Sequence, residues 1–128
     1  MFIVDTRTCT FEVTEDQILV CTSKPRSPEG LEEARENVAA IDGLCSEFHL
    51  PMLADMTHST SQSREARAHY AANPIATAVA LVVTNPVSRV LGNFYLGLNK
   101  PAVPTRLFSD TADAREWLRA YPPSRRQR

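Results

Sequence analysis

The residues best placed to do chemistry are five hydroxyl side chains within nine positions, Asp55-Met56-Thr57-His58-Ser59-Thr60-Ser61-Gln62-Ser63. They stand just before a helix-like segment, where free N–H groups and the positive end of the helix dipole favour an anion. A phosphoryl group on Ser59, Thr60, Ser61 or Ser63 would add about −1.5 to −2 charges at neutral pH. Asp55, Thr57, Ser59, Thr60, Ser61 and Ser63, with Arg89 from a later helix start, form the candidate phosphorylation or partner/anion site. The plainer role for the same residues is a helix cap inside a solvated loop.

Other chemistries find less support. His49, His58 and His69 are the three histidines. Zinc needs three or four converging ligands with a tight pair among them, and only Asp55 and His58 approach such spacing. His49 is expected to top the first helix, where a cation suits the dipole. No G-x-S-x-G elbow, phosphate loop or dinucleotide glycine pattern is present. Adjacent Ser59 and His58 would point apart, and the carboxylates fall mostly on solvated helix faces. No catalytic residue, metal or cofactor is therefore assigned, and the chain is read as non-enzymatic. Arg89, in the first turn of its helix, is locally unfavourable there unless it meets a carboxylate such as Asp55 or an anionic ligand.

Composition bounds the rest. At 128 residues the chain is most simply one domain, and 43% hydrophobic with 23% charged residues is ordinary for a globular protein. The formal charge is −1, but Arg125, Arg126 and Arg128 crowd the last four positions. The remaining body is mildly acidic, a poor footprint for nucleic acid. No apolar run approaches the ~20 residues of a membrane span, and Met1–Val4 is too short for a signal peptide. Cys9, Cys21 and Cys45 have no C-x-x-C spacing. They read as core residues of a reduced, cytoplasmic protein.

These side chains need elements to position them, and the pattern supplies an alternation. Cys9, Phe11 and Val13 alternate with polar residues, Thr14–Gln17 makes a turn and Ile18–Thr22 a second strand. Phe2–Val4 either extends the first strand or adds another. Ser27-Pro28 predicts a helix start, with Glu29, Glu32 and Glu33 in its first turns. Leu31, Ala34, Val38, Ile41, Cys45 and Phe48 then make an apolar stripe up to Pro51. Asn37 flanks that stripe and is expected to bond a nearby loop backbone.

Strands are predicted at Pro51–Asp55, Ala78–Val83 and Thr105–Phe108. A helix follows each: from Ser61 or Ser63 to Asn73, from Asn85-Pro86 to Leu98, and from Asp110 to Tyr121. Tyr70 is the one large apolar side chain of the second helix. Gly92 and Gly97 weaken the third by about 1 kcal/mol each, which close packing of another backbone would explain. Strand-helix alternation of this kind implies parallel strands with crossover helices. The expectation is an α/β domain over residues 1–122, with about five strands in a mixed sheet and about four helices. Residues 123–128 are expected to form a basic, disordered tail.

The pattern resembles the STAS domain, the fold of anti-sigma factor antagonists such as SpoIIAA. Glu36-Asn37-Val38-Ala39, Leu53-Ala54-Asp55-Met56, Glu65-Ala66-Arg67, Gly92-Asn93-Phe94, Asn99-Lys100-Pro101 and Pro104-Thr105-Arg106-Leu107-Phe108 resemble a bacterial branch of SpoIIAA-like proteins. The resemblance runs from Asp16 to Leu118. It implies a domain that binds a protein partner, an anti-sigma-like kinase, which switches it off by phosphorylating a serine at this helix start. That site usually reads as an aspartate, one or two serines, then glycine. The nearest match here is His58-Ser59-Thr60-Ser61, without the flanking aspartate and glycine.

The expected function is thus a regulatory or protein-interaction domain working through the edge formed by Met56–Ser63, Thr84–Arg89 and Ser109. The alternative is a homo-oligomeric scaffold, a dimer or larger, or a small-molecule-binding domain with no phosphoswitch. Phe94, Tyr95 and Leu98 are its candidate self-association residues, because apolar groups should reach more than one face of their helix.

Overall fold

The computed structural model describes residues 3–98 and 102–127, without the side chains of Phe94, Tyr95 and Leu98. The side chains of those three interface candidates, and the whole Asn99-Lys100-Pro101 stop, therefore lie outside the described structure. The elements are β1 (Ile3–Asp5), β2 (Cys9–Val13), β3 (Leu19–Ser23), α1 (Leu31–Leu44), β4 (Phe48–His49) and β5 (Met52–Asp55). They continue with α2 (Arg64–Ala72), β6 (Val79–Val82), α3 (Pro86–Leu98), β7 (Thr105–Phe108), α4 (Thr111–Leu118) and β8 (Ser124–Arg125).

Six strands form one mixed sheet in the order β1-β2-β3-β5-β6-β7. β1, β2 and β3 are antiparallel, because short turns join them. β3, β5, β6 and β7 are parallel, each joined to the next through a helix, as such strands require. The undecided N-terminal segment is a strand of its own, with Val4 opposite Phe11. That accounts for the sixth strand. At the β2–β3 turn Gln17 adopts φ 60° and its N–H donates to the Thr14 carbonyl at 2.9 Å.

The alternation along β6 divides the core. Leu81 and Val83 pack with Met56, Ala54, Leu91 and Leu96 on one face. Ala80 and Val82 pack with Leu53, Leu118 and Trp117 on the other. α4 covers this second face, with Phe108, Trp117 and Tyr121 stacked at centroid distances of 5.5 and 4.9 Å. α1 lays Ile41 and Cys45 on Cys9, Phe11 and Leu19. No described helix is long and apolar enough to cross a membrane.

Four expectations are corrected. α1 begins after Gly30, not at Ser27-Pro28, because the Glu29 backbone is extended and bonded elsewhere. The Glu29 N–H donates to the Ser61 carbonyl and the Ser63 N–H to the Glu29 carbonyl, at 3.0 and 2.8 Å. The first helix also stops at Leu44, so Phe48 and His49 leave it and pair with Arg125 and Ser124. The tail from residue 123 is consequently a strand partner. Arg126 anchors it, donating to Asp42 at 2.8 Å and to the Cys45 carbonyl at 3.0 Å. Finally, a Cβ on Gly92 would meet the Leu107 and Val83 side chains at 2.8 and 3.1 Å, whereas one on Gly97 meets no described atom within 4 Å. Close packing accounts for the first glycine only, and the neighbours are side chains.

Candidate functional site

The hydroxyl-rich loop lies at the carboxyl ends of the parallel strands, where an open α/β sheet presents its ligand edge. Asp55 closes β5 and folds the chain back: its Oδ1 accepts from the Thr57 N–H at 2.9 Å and the Thr57 hydroxyl at 2.6 Å. Thr57 meets Thr84 across the edge at 2.8 Å, and Asn85 Nδ2 donates to the Thr57 carbonyl at 2.7 Å. Asn85 also caps α3, accepting from the Ser88 N–H at 2.9 Å. Arg89 donates to Ser109 Oγ at 3.2 Å and to the Val83 carbonyl at 3.4 Å. Its partner is therefore the β7 end rather than Asp55, whose Oδ1 takes two bonds from Thr57.

The five loop hydroxyls have separate duties. Ser63 is the N-cap of α2, accepting from the Ala66 N–H at 3.0 Å. Ser59 is half-buried and hydrogen-bonded to Ser23 Oγ at 2.8 Å. Thr60 and Ser61 are exposed. The structure thus brings Thr57, Thr84, Asn85, Arg89 and Ser109 into one edge, with Thr60 and Ser61 offered to solvent beside it. The histidines are apart: His58 is exposed, His49 bonds the Ile75 carbonyl and His69 lies against Asn73. Among the described residues no three His, Cys, Asp or Glu side chains gather to hold a metal.

A second constellation escaped the sequence reading. Glu29, expected to complement the α1 dipole, instead points between α1, α2 and β2. Its Oε2 accepts from Asn37 Nδ2 at 2.8 Å, Thr8 Oγ1 at 3.0 Å and the Tyr70 hydroxyl at 3.0 Å. Its Oε1 accepts from Gln62 Nε2 at 2.9 Å. Asn37, 1% exposed, bonds side chains rather than loop backbone, because the carboxylate lies within its reach. Its Oδ1 accepts from Thr6 at 2.5 Å. The one available sequence signal was an amide in the buried stripe of α1, between Ala34 and Ile41, which must find a partner.

Burial, reinforced by the negative Glu29, pushes the Tyr70 phenol far above its ordinary value of 10.0. A hydrogen bond with Cys9 and burial raise the Cys21 thiol, and burial raises Cys45. Raised thiols stay protonated and are poor nucleophiles. Tyr70 gives a pH prediction. Unfolded tyrosine deprotonates near pH 10 while the folded phenol keeps its proton, so the contribution is intact below pH 10. It is lost as pH rises further, by up to about 1.4 kcal/mol per unit. Urea unfolding at pH 9 and pH 11 should give a shallower loss in Tyr70→Phe than in wild type; equal losses would contradict the assignment.

Residues 11–122 match a family described as a domain of unknown function (DUF7793). A search of curated proteins finds no match. Among solved structures, an uncharacterised protein of the DUF3478 family with a SpoIIAA-like fold, from Shewanella loihica PV-4, has 15% identity and a TM-score of 0.57. That likeness spans 86% of this chain and 91% of the other. A protein of unknown function from Arthrobacter sp. FB24 is 35% identical over 85% of this chain and 97% of its own, with a TM-score of 0.33. The first likeness bears out the fold that the sequence resemblance implied. The chain has a SpoIIAA-like α/β fold, in which the described residues form four helices around a six-stranded mixed sheet.

Proposed function

We propose, for a chain that belongs to the DUF7793 family of domains of unknown function, a non-enzymatic regulatory role of the STAS type in the cytoplasm. A protein partner docks on the edge built by Met56–Ser63, Thr84–Arg89 and Ser109. The observation that supports this reading is the lacing of three strand ends through Thr57–Thr84, Asn85–Thr57 and Arg89–Ser109. The lacing presents the exposed Thr60 and Ser61 on a fixed base. A phosphoryl group on either would place about −1.5 to −2 charges there and change partner affinity.

The resemblance favours an anti-sigma-like kinase as partner. Thr60 and Ser61 are better acceptors than Ser59 and Ser63, whose hydroxyls are engaged. The test is capture from native lysate with wild type and with a Thr60→Ala/Ser61→Ala double variant, followed by mass spectrometry. Expected is one kinase-like or sigma-related partner with wild type, phosphate on Thr60 or Ser61, and altered partner recovery with the variant. Identical partners and no phosphate would overturn the switch. A second reading, self-association through α3, is favoured by Val87 and Val90, 54% and 53% exposed. Light scattering separates the two, since a monomer excludes the scaffold.

A further inference from the structure

Under the Glu29 cluster lies a cavity of about 120 Å³. Phe11 from β2, Ile41 from α1, Met52 and Ala54 from β5, and Val79 and Leu81 from β6 give it mostly apolar walls. Water needs two to four polar partners to settle in such a space, and these walls offer few. An apolar cavity of roughly 150 Å³ is enough to admit benzene. Exposed Asn73, Pro74 and Ala102 also line it, so one side reaches solvent.

The polar lining narrows the ligand further. Glu29, Asn37, Tyr70 and Gln62 are one hydrogen-bonded set. Both carboxylate oxygens already accept from protein donors, so a cation would have to displace bonds that are made. Among the described residues no Lys, Arg or His lines the cavity, so an anion would sit beside a carboxylate without compensation from them. One buried acceptor of the lining is left unsatisfied among the described residues. Gln62 turns its Nε2 to the carboxylate, as charge requires, which leaves its Oε1 buried with no partner. Buried polar atoms are seldom left so.

We propose that this cavity binds a compact neutral molecule, about one aromatic ring in size, that bears a single hydrogen-bond donor. The ring fills the space between Phe11, Ile41 and the β5–β6 face, and the donor meets Gln62 Oε1. This site lies inside the fold and stands or falls separately from partner docking at the edge, because binding is measured on the protein alone.

The experiment titrates the full chain with phenol, benzene and benzoate, read by calorimetry and by thermal unfolding. Phenol should bind more tightly than benzene by about tenfold, one hydrogen bond's worth, and raise Tm by about 5 °C at tenfold excess over Kd. Gln62→Leu should erase the difference between the two. Ala54→Leu fills the cavity and should abolish both; Val79→Phe serves if that variant does not melt cooperatively. No binding by phenol or benzene would overturn the proposal. So would phenol binding that survives a folded cavity-filling variant, or benzoate binding more tightly than phenol.

Discussion

Replacing Glu29 by alanine should cost about 3 kcal/mol, one of the largest losses available to a single polar substitution in this chain. Four oxygen and nitrogen donors reach its two oxygens, the Cys9 thiol adds a weaker fifth at 3.7 Å, and Thr8 and Asn37 are 4% and 1% exposed. Each buried donor left without an acceptor costs about 1–3 kcal/mol. The sum would be larger, but Asn37 can still donate to Thr8 Oγ1, 2.9 Å away, and Tyr70 and Gln62 lie nearer solvent. Glu29→Gln keeps one carbonyl acceptor but turns an NH₂ toward other donors, so about half the loss is expected. A double variant in which Asn37 also becomes leucine should lose less than the two single losses added. Urea unfolding decides this through the midpoint at constant slope. A loss under 1 kcal/mol in Glu29→Ala would mean that water satisfies these donors equally well.

Phe11→Ala should cost about 4 kcal/mol by the opposite physics. Phe11 is fully buried and packs with Leu19, Ile41 and Leu50. Its loss removes apolar contact and leaves a void beside one that already exists. Phe→Ala changes in cores run to about 3–5 kcal/mol, against a total stability of about 5–15. Ile3→Ala, one strand out on the edge strand β1 and 59% exposed, should stay within about 0.5 kcal/mol. A thermal-melt series of both variants tests the contrast. If Phe11→Ala melts within a few degrees of wild type, α1 does not depend on this contact.

The two sites differ in how far the sequence discloses them, and the reason is range. The hydroxyl edge is local in its signals. Ser63 caps the helix beside it, Asp110 accepts from the Asp113 N–H at 2.8 Å, and apolar 78–83 without alternation announces a strand covered on both faces. Which loops would adjoin follows from parallel order, so Thr84 and Ser109 could be placed with the Thr57–Ser63 loop. What Arg89 would touch could not, because a side chain's partner depends on rotamers and strand twist. Glu29 is the reverse case. Three acids at 29, 32 and 33 have a sufficient local explanation in the helix dipole, and that explanation hides the one that is buried. Its partners stand at 8, 37, 62 and 70, and no periodicity links them. β8 was missed because two residues carry no pattern, and its place is set by Arg126 reaching Asp42.

The backbone bonds that tie Glu29 to Ser61 and Ser63 bear on how this family can vary. Loops before helices are ordinarily where chains gain and lose residues, since nothing crosses them. Here the approach to α1 and the approach to α2 run side by side as a short parallel bridge. A residue inserted in either would slide the carboxylate away from Asn37 or pull the cap from Ser63. Their lengths are therefore locked to one another, and drift in length is left to places such as the Thr14–Gln17 turn, where among the described residues no second loop's backbone is bonded and only the side chain of Arg115 reaches in, to Asp16.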